Sequence, residues 1–519
     1  MSRKLLKSGV IVSVMTFISR LLGLVRDAVV ANLLGAGANA DVFLLANKIP
    51  NFLRRLFVEG AFSQAFIPVL TEVKNAGDEA HLRQFIGKIS GTLGVIVTIV
   101  ALLGVLASPI LAALFASGWF VEYMNDEPGG VKYELASLML KITFPYILFI
   151  SLAGLAGAIL NTLNKFGAAA FTPVLLNISI IICAIYLSDQ FSQPAFALAW
   201  GVFIGGLAQL LFLIPFLIKA GVLVRPRWGW SDPDIQKVRT LMIPALFGVS
   251  VGQLNLLLDT MIASFLGTGA ISWLYYSDRL LEFPLGLFGI AIATVILPTL
   301  SRNHVAKDDL AFSNNIDWAI KMVCILGIPA ATGLFVLAEP MLLTIFQRGA
   351  FSPFDAAQSA ASLQAYSFGL LSFMLVKVLA PGFYSRQDTK TPVKFGIWCM
   401  AANMVFNLIL VWPYDYVGLA MATSMSAAMN AGLLYWALHK NKVYCASKQT
   451  IYLLVKIIIS AILMGTVVMQ MSPILEVWIA FELMVKIVEL FKLIALGFAV
   501  FVSAMLIMGV RKHSFVAHV

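Results

Sequence analysis

Runs of about 20 apolar residues recur along the whole chain, and they limit its possible folds more than any other feature. An α-helix of that length crosses a hydrocarbon layer about 30 Å thick. Of the 519 residues, 60% are hydrophobic and only 12% are charged, which is far more apolar than a soluble domain. The pattern predicts an all-α polytopic membrane protein with no soluble domain between its helices.

The polar clusters divide the chain into about 14 predicted transmembrane helices. The basic N-terminus has no signal-peptide cleavage site and arginines interrupt its apolar run, so we expect it to be retained as the first helix. The approximate segments are 9–36, 41–71, 88–117, 136–161, 171–188, 195–219, 240–266, 272–300, 317–346, 361–385, 393–412, 417–438, 451–471 and 478–509.

Lys and Arg concentrate in every second predicted loop, as between the sixth and seventh helices with Lys219, Arg225 and Arg227. In the opposite loops the only basic residues are Lys132 and Arg348, beside several acidic residues. The positive-inside rule therefore predicts that both termini are cytoplasmic. The net charge of +10 is mainly cytoplasmic loop charge and does not imply nucleic-acid binding.

The chain contains an internal repeat. The segment "ANLLGAGANADVFLLANKIPNFLRRLFVEGAFSQAFIPVL" from Ala31 resembles "ASFLGTGAISWLYYSDRLLEFPLGLFGIAIATVILPTL" from Ala263. A second, looser pair of similar segments follows in the same order, which counts against a chance likeness of apolar helices. We expect two six-helix lobes related by a pseudo-two-fold axis along the membrane normal, plus two C-terminal helices. The predicted domains are 1–220, 221–445 and 446–519.

Charged residues lie inside several predicted membrane helices, where insertion of each costs about 2.5–3.5 kcal/mol. Arg55 and Glu59 are spaced to pair on one helical face, whereas Arg54 has no acidic neighbour at either pairing distance. The surplus of arginines predicts a hydrated cavity that binds an anion, and phosphate suits the planar guanidinium best. A buried ion-pair network that locks the helices together is the alternative. The charges are Arg20, Arg26 and Asp27 in helix 1, Asp41, Lys48, Arg54, Arg55 and Glu59 in helix 2, and Asp278, Arg279 and Glu282 in helix 8.

A second polar group combines Asp259 in helix 7, Asn403 and Asn407 in helix 11, and Thr423 in helix 12. Carboxylate and amide oxygens suit a hard cation such as sodium. Polar contacts that merely hold the helices together are the alternative. No motif indicates an enzyme: the five histidines lie in predicted loops or tails, and the four cysteines have no metal-binding spacing.

Several segments closely resemble the MurJ (MviN) family of bacterial lipid II flippases, over essentially the whole chain. They are "SRLLGLVRDAVVANLLGAG", "NKIPNFLRRLFVEGAFSQAFIPVL", "LKITFPYILFISLAGLAGAILNT", "YYSDRLLEFPLG" and "VKVLAPGFYSRQDTKTPVK". The resemblance implies a non-enzymatic exporter of the MOP superfamily. Its substrate would be the undecaprenyl-pyrophosphate-linked peptidoglycan precursor lipid II, moved by alternating access to the periplasmic leaflet of the inner membrane. It also implies that helices 13 and 14 form a groove for the lipid tail.

The resemblance also assigns roles to residues. The family's essential cavity arginines fall on Arg20, Arg26, Arg54 and Arg279, and its functional acidic residues on Asp27, Asp41, Glu59 and Asp278. A sodium site found in some members maps onto Asp259, Asn403, Asn407 and Thr423, with Asn407 where that site carries Asp. We expect membrane potential, together with sodium, to drive transport, and cell-wall synthesis proteins to be partners in cell wall biogenesis and cell shape. No other cofactor is expected.

Three other functions are compatible with parts of the pattern. Another MOP-type transporter would be an O-antigen flippase or a drug/cation antiporter, although an antiporter for cationic drugs needs a net acidic cavity. A membrane glycosyltransferase needs catalytic carboxylates in loops near the headgroups, and the large loops "YMNDEPGGVKYE" and "KAGVLVRPRWGWSDPDIQK" show none. A scaffold of the cell-wall machinery needs no transport at all.

Overall fold

The computed structural model of the protein describes residues 3–510, apart from the side chains of residues 3–12, 57–59, 244–245, 247–254, 256, 290 and 294. Every regular element in that range is helical, and each predicted transmembrane segment overlaps a helix. Ten helices in the described part of the chain are long and apolar enough to cross a membrane. The prediction of an all-α polytopic membrane protein is confirmed.

The described chain forms two compact units. The first extends to Ile271 and includes Arg348–Ala350. Two short 3₁₀ turns, Pro128–Gly130 and Ser188–Gln190, lie in it. Its helices are α1 (Arg3–Leu34), α2 (Ala38–Arg54), α3 (Ser63–Asn75), α4 (Glu79–Leu106), α5 (Ser108–Phe115), α6 (Ser117–Met124), α7 (Val131–Thr143), α8 (Tyr146–Thr162), α9 (Phe166–Tyr186), α10 (Ala195–Lys219) and α11 (Pro233–Ala263).

The second unit contains Ser272–Gln347 and the chain from Phe351 onwards. Its helices are α12, which begins at the end of the first unit (Ala270–Pro284), α13 (Ile290–Val305), α14 (Asp309–Val336), α15 (Ala338–Ile345), α16 (Pro353–Tyr384), α17 (Lys390–Lys440), α18 (Lys448–Met471), α19 (Leu475–Ala480) and α20 (Leu483–Ile507).

Helix boundaries follow local chemistry. The Asp78 and Asp308 side chains cap α4 and α14 by accepting hydrogen bonds from backbone N–H groups of the first turn, and Ser352 opens α16 with a capping box. The predicted third and ninth helices extend too far, because each is followed by a separate short helix, α5 or α15. Both short helices have a proline in the first turn, where proline begins a helix but cannot continue one.

The 51-residue helix α17 contains the predicted eleventh and twelfth spans. Asp415 interrupts it with φ of 53° and ψ of −139°, which is outside the helical range. Pro413 precedes this point, and a side chain at Gly418 would come within 2.3 Å of the Leu410 carbonyl oxygen. The predicted break between residues 412 and 417 is confirmed.

Helix positions support the internal repeat. Helices α4 and α14 both have 28 residues and begin at 79 and 309, and the eight-residue helices α5 and α15 begin at 108 and 338. Two π-helical segments, Arg55–Phe62 and Leu285–Gly289, begin at 55 and 285. Each pair is therefore 230 residues apart, as are Pro68 and Pro298. The same helices and the same rare π-helical turn recur in both halves.

The first unit extends beyond the predicted repeat boundary at residue 220, because α11 packs against Arg55–Phe62 and α3. The predicted domain limits describe a sequence repeat, whereas the units are defined by contacts. Those limits, and the grouping of α18 to α20 as a separate tail-binding domain, stay predictions.

A cluster of stacked aromatic rings forms part of the core of the first unit. The ring centroids of Phe62 and Phe66 are 5.1 Å apart, and those of Phe66 and Phe85 are 6.0 Å apart. These residues connect the π-helical segment, α3 and α4, and they pack with buried residues of α8 and the start of α11. The charged helix segment from residue 38 to 75 is therefore fixed at one end by apolar packing.

The segment between α10 and α11 lies directly on α4. Arg227 donates its backbone N–H to the Gly87 carbonyl at 2.9 Å, and Gly229 donates to the Thr92 hydroxyl at 3.0 Å. A β-carbon at Gly91 would lie 2.2 Å from the Arg227 carbonyl oxygen, so only glycine permits this approach.

We expect Gly91→Ala to lower the midpoint of thermal unfolding in detergent, because the added methyl group displaces the Arg227 backbone, at a cost of about 1–3 kcal/mol. The matched control is Gly94→Ala on the same helix, where the nearest atom to a new β-carbon is 3.9 Å away. That variant should unfold at the wild-type temperature or slightly above it. Equal midpoints for the two variants would contradict the packing described here.

Candidate functional site

The intramembrane charges of α1 form a tight polar cluster in the first unit. Arg26 makes an ion pair with the adjacent Asp27 at 2.6 Å, and their side chains are only 12% and 2% exposed. A second nitrogen of the same guanidinium, Nε, lies 2.9 Å from the same carboxylate oxygen. The acidic and basic residues that the sequence placed on one helix are therefore in direct contact and nearly excluded from solvent.

A third member of the cluster was not predicted. Asn177 of α9 accepts a hydrogen bond from Arg26 through Oδ1 at 3.0 Å, and its Nδ2 donates to the Ser19 carbonyl of α1 at 3.1 Å. Asn177 is 6% exposed. An asparagine within the apolar run "TPVLLNISIIIC" is the only sequence signal for this role, and a neutral residue adds nothing to the pattern of charges.

Arg20 lies further toward the start of α1 and is exposed. No hydrogen bond or ion pair of its side chain is present within the described residues. The two predicted arginines of α1 therefore differ in their surroundings. Arg26 is held by Asp27 and Asn177, whereas Arg20 is exposed at the helix surface.

The charges of α2 contact several parts of the first unit. Lys48 donates to the Thr260 hydroxyl of α11 at 2.5 Å. Arg54 has no acidic neighbour at a helical pairing distance, but it does have a local partner, because its Nε donates to Asn51 Oδ1 at 3.2 Å. An amide oxygen one turn away thus satisfies a donor that has no carboxylate at that spacing.

Arg55 and Glu59 were predicted to pair. Arg55 is exposed and begins the π-helical segment, while the side chain of Glu59 lies outside the described part of the structure. The pairing therefore stays a prediction. The π-helical turn changes the spacing on which it rested, because a π-helix hydrogen-bonds i to i+5 instead of i to i+4.

Asp41 fixes the loop between α11 and α12. Its side chain is 1% exposed, and Oδ2 accepts a hydrogen bond from the Gly269 backbone N–H at 2.7 Å. Two further bonds hold this 264–269 loop: the Gly118 N–H donates to the Ser264 hydroxyl at 2.9 Å, and Lys132 Nζ donates to the Thr268 hydroxyl at 3.2 Å. We call this set of contacts the loop lock.

The segment Arg348–Ala350 is bound to the first unit in a similar way. Ala350 donates its N–H to the Asn32 carbonyl at 2.9 Å. Gly35 and Gly349 both have positive φ, +63° and +52°, and a side chain on either would collide with the opposite backbone. Two segments from the second half of the sequence are thus held against the α1–α2 turn and its neighbours.

In the second unit, Arg279 of α12 pairs with Glu282 at 3.0 Å, as its spacing predicted. The pair is partly exposed, at 28% and 45%, and the Tyr275 ring lies 6.0 Å from the guanidinium carbon. Asp278 is half-buried and belongs to the same helix. These charges keep more contact with solvent than the pair formed by Arg26 and Asp27.

The predicted sodium ligands are divided between the units. Asp259 is half-buried in α11 of the first unit. In the second, Asn403 and Asn407 are fully buried, and Asn407 Nδ2 donates to Asn403 Oδ1 at 3.0 Å. Thr423 donates its hydroxyl to the Leu419 carbonyl at 3.0 Å. Within residues 3–510, no three His, Cys, Asp or Glu residues are grouped to hold a metal ion.

An ion pair between a loop carboxylate and a lysine of α4 holds the loop before α11. Asp232 lies 2.5 Å from Lys88 Nζ. Burial raises the pKa of the Asp232 carboxyl, but the hydrogen bond and charge of Lys88 and the backbone hydrogen bonds from Asp234 and Ile235 together outweigh burial, so the pKa is below its usual value. A lowered folded-state pKa contributes stability at neutral pH that is lost as the pH falls through that pKa.

Comparison with protein families and known proteins gives consistent results. The family model described as "Lipid II flippase MurJ" matches residues 30–489. The chain is 60% identical over 511 residues to a probable lipid II flippase MurJ of Vibrio cholerae, covering 98% of this chain and 97% of the relative. It is 56% identical to the protein of the same description from Haemophilus influenzae, covering 96% and 99% of the two chains.

Solved structures show the same relationship. A structure titled "Lipid II flippase MurJ, inward closed conformation" matches with a TM-score of 0.80 and 26% identity, covering 96% of this chain and 98% of that one. An inward-facing MATE family multidrug transporter of the MOP superfamily matches with a TM-score of 0.68 at 12% identity, covering 84% and 98%. The second likeness concerns the fold alone.

The loop lock predicts a specific effect of Asp41. In Asp41→Ala the Gly269 amide loses its acceptor, and we expect its hydrogen exchange to accelerate about tenfold or more, since a hydrogen bond to a charged group is worth about 1.5–3 kcal/mol. Asp41→Asn retains an acceptor oxygen and should show a smaller change. Asp189→Ala, which removes an exposed carboxylate, is the matched control. Unchanged exchange at residues 264–269 in Asp41→Ala would disprove the lock.

Proposed function

The chain belongs to the MurJ family of lipid II flippases, and from this premise we propose how its intramembrane arginines move the substrate. The protein is a multi-pass membrane transporter of lipid II and not an enzyme. Its role in peptidoglycan synthesis follows from that substrate. The pathway through the membrane, the ligands of the pyrophosphate and the driving force belong to the proposal.

The observation that carries the proposal is the buried cluster of Arg26, Asp27 and Asn177. The pyrophosphate of lipid II is anionic and has to pass about 30 Å of hydrocarbon, which it can do only along polar, cationic groups. A guanidinium has five N–H donors, and its planar fork binds phosphate oxygens in pairs. Asp27 and Asn177 hold Arg26 in the membrane until the substrate phosphate replaces part of this contact.

Arg54 is the second arginine that we propose to bind the pyrophosphate. It lies at the junction between α2 and the π-helical segment, and its guanidinium donates to the neutral amide oxygen of Asn51. Arg20 and Arg279 would add positive charge along the route, and Asp278 and Glu59 would balance it between transport cycles. Lipid II enters from the cytoplasmic leaflet, and its polyprenyl tail stays in the bilayer beside α18 and α20.

Alternating access requires that one side close while the other opens. We assign the loop lock and the Asn32–Ala350 bond to closure on the periplasmic side, since the positive-inside rule places these loops there. Opening toward the periplasm would then break the bond between Asp41 and Gly269, together with those made by Ser264 and Lys132.

The cellular setting is part of the proposal as well. Charge asymmetry of the loops supports an inner-membrane protein with both termini in the cytoplasm. Enzymes that make lipid II and enzymes that consume it act on opposite faces of that membrane, so cell-wall synthesis proteins are the partners we propose. Family membership removes the drug antiporter, O-antigen flippase, glycosyltransferase and scaffold alternatives.

Sodium is the cation that we propose for Asp259, Asn403, Asn407 and Thr423. The donor chemistry fits, because all four side chains carry oxygen ligands suited to a hard cation. Asn403 Oδ1 accepts one bond from Asn407 and keeps a lone pair for an ion. Sodium, when bound, would supply a positive charge that couples its own gradient to the conformational change.

The flippase role predicts the effect of depleting the protein and opposite effects of substituting Arg54 and Arg55. Depletion of the protein in cells without a substitute flippase should leave lipid II in the cytoplasmic leaflet, as measured by a leaflet-specific assay. Arg54→Ala should fail to restore outer-leaflet lipid II, because a ligand of the pyrophosphate is lost. Arg55→Ala, which removes an exposed charge, is the control and should restore it. Normal outer-leaflet lipid II in depleted cells would refute the role.

The driving force can be tested separately. Outward movement of a net negative charge is favoured by an inside-negative potential, by about 2.3 kcal/mol per charge per 100 mV. Dissipating the potential at constant ion gradients should therefore slow flipping in vesicles, and replacing sodium with an impermeant organic cation should slow it further. Undiminished flipping without a potential contradicts electrical coupling, and an unchanged rate without sodium removes that ion from the mechanism.

A further inference from the structure

Asn177 occupies a place in the Arg26 cluster that residue roles inferred from the family do not assign. Its side-chain oxygen accepts from Arg26 NH1 at 3.0 Å, and its side-chain nitrogen donates to the Ser19 carbonyl at 3.1 Å. Both polar atoms of the amide are thus used, each in the direction its chemistry requires. The bond from Nδ2 fixes which end of the amide faces the arginine.

We propose that Asn177 is the positioning residue that aims Arg26 at the pyrophosphate of lipid II. This inference rests on the proposed function of Arg26. Two guanidinium nitrogens of Arg26, Nε and NH2, converge on one carboxylate oxygen of Asp27, Oδ1. A single acceptor atom allows the guanidinium to pivot about it. A bond from NH1 to a second helix fixes the plane of the fork, so its remaining N–H groups keep one direction.

The chemistry of an amide suits this role better than that of a carboxylate. Asn177 holds Arg26 without adding negative charge, so the guanidinium keeps its attraction for an anion. An aspartate at the same position would also hold Arg26, but it would surround the guanidinium with two carboxylates and oppose a pyrophosphate by charge repulsion. Asn177 therefore favours lipid II binding in two ways: it orients Arg26, and it adds no negative charge.

The test uses purified full-length protein in nanodiscs and fluorescently labelled lipid II. Asn177→Ala should raise the dissociation constant about tenfold, because Arg26 loses its second anchor. Asn177→Asp should raise it further, although it preserves an acceptor for Arg26. The control is Ser179→Ala on the same helix, whose hydroxyl donates to the Gly201 carbonyl and not to Arg26, and it should bind as wild type does.

A purely structural role gives a different pattern. If Asn177 only ties α9 to α1 through Ser19, Ala and Asp variants lower the unfolding midpoint equally and do not differ in affinity. Equal loss of stability without a difference in affinity would overturn the inference. So would wild-type affinity in Asn177→Ala, or failure of both variants to fold. Arg26→Gln distinguishes failure of the proposed function from failure of this inference. If Arg26→Gln binds lipid II normally, the proposed function of Arg26 is wrong. If Arg26→Gln binds weakly and Asn177→Ala binds normally, only the role of Asn177 is refuted.

Discussion

A charged side chain inside a membrane has to be given polar partners, and the first unit is arranged around this constraint. Arg26 is held by Asp27 and by Asn177 from α9, Lys48 by Thr260 from α11, and Asp41 by the Gly269 amide. Apart from the Arg26–Asp27 pair, which lies within α1, each contact connects α1 or α2 to a different part of the chain. The charges that we propose act on an anionic substrate are thus also what fixes the helices around them.

The same arrangement explains how charged helices can be stable in a membrane and still bind an anionic substrate. Asn51, Asn177 and Thr260 are neutral partners, so they satisfy donors without cancelling positive charge. A cluster made only of matched ion pairs would be inert toward pyrophosphate. The loop lock uses a carboxylate instead, and the hydrogen bond from the Gly269 amide to Asp41 is a contact that a conformational change can break.

Much of the fold follows from the sequence because hydropathy and proline position are local signals. The spans, the break at Asp415 and the Arg279–Glu282 pair were all predictable from spacing. The internal repeat was recognised from two similar segments, and the 230-residue offset between α4 and α14 makes it more definite. The overlong predictions for α4 and α14 came from treating Pro109 and Pro340 as ordinary apolar residues.

The partners of the charges could not be predicted, because they lie far apart in sequence. Arg26 and Asn177 are 151 positions apart, and Asp41 and Gly269 are 228 apart. The sequence shows that Arg54 has no acidic neighbour, but it does not show that the neutral Asn51 accepts its hydrogen bond. Neutral amides and backbone N–H groups carry no charge pattern, so only the packed structure shows which of them complete a site.

The most direct test of this account is a structure of the full-length protein with lipid II bound. The account predicts that the pyrophosphate lies within hydrogen-bonding distance of Arg26 and Arg54, with Asn177 still bonded to Arg26. A complex in which the pyrophosphate binds elsewhere, while Arg26 keeps every contact to Asp27 and Asn177 and Arg54 keeps its bond to Asn51, would contradict it.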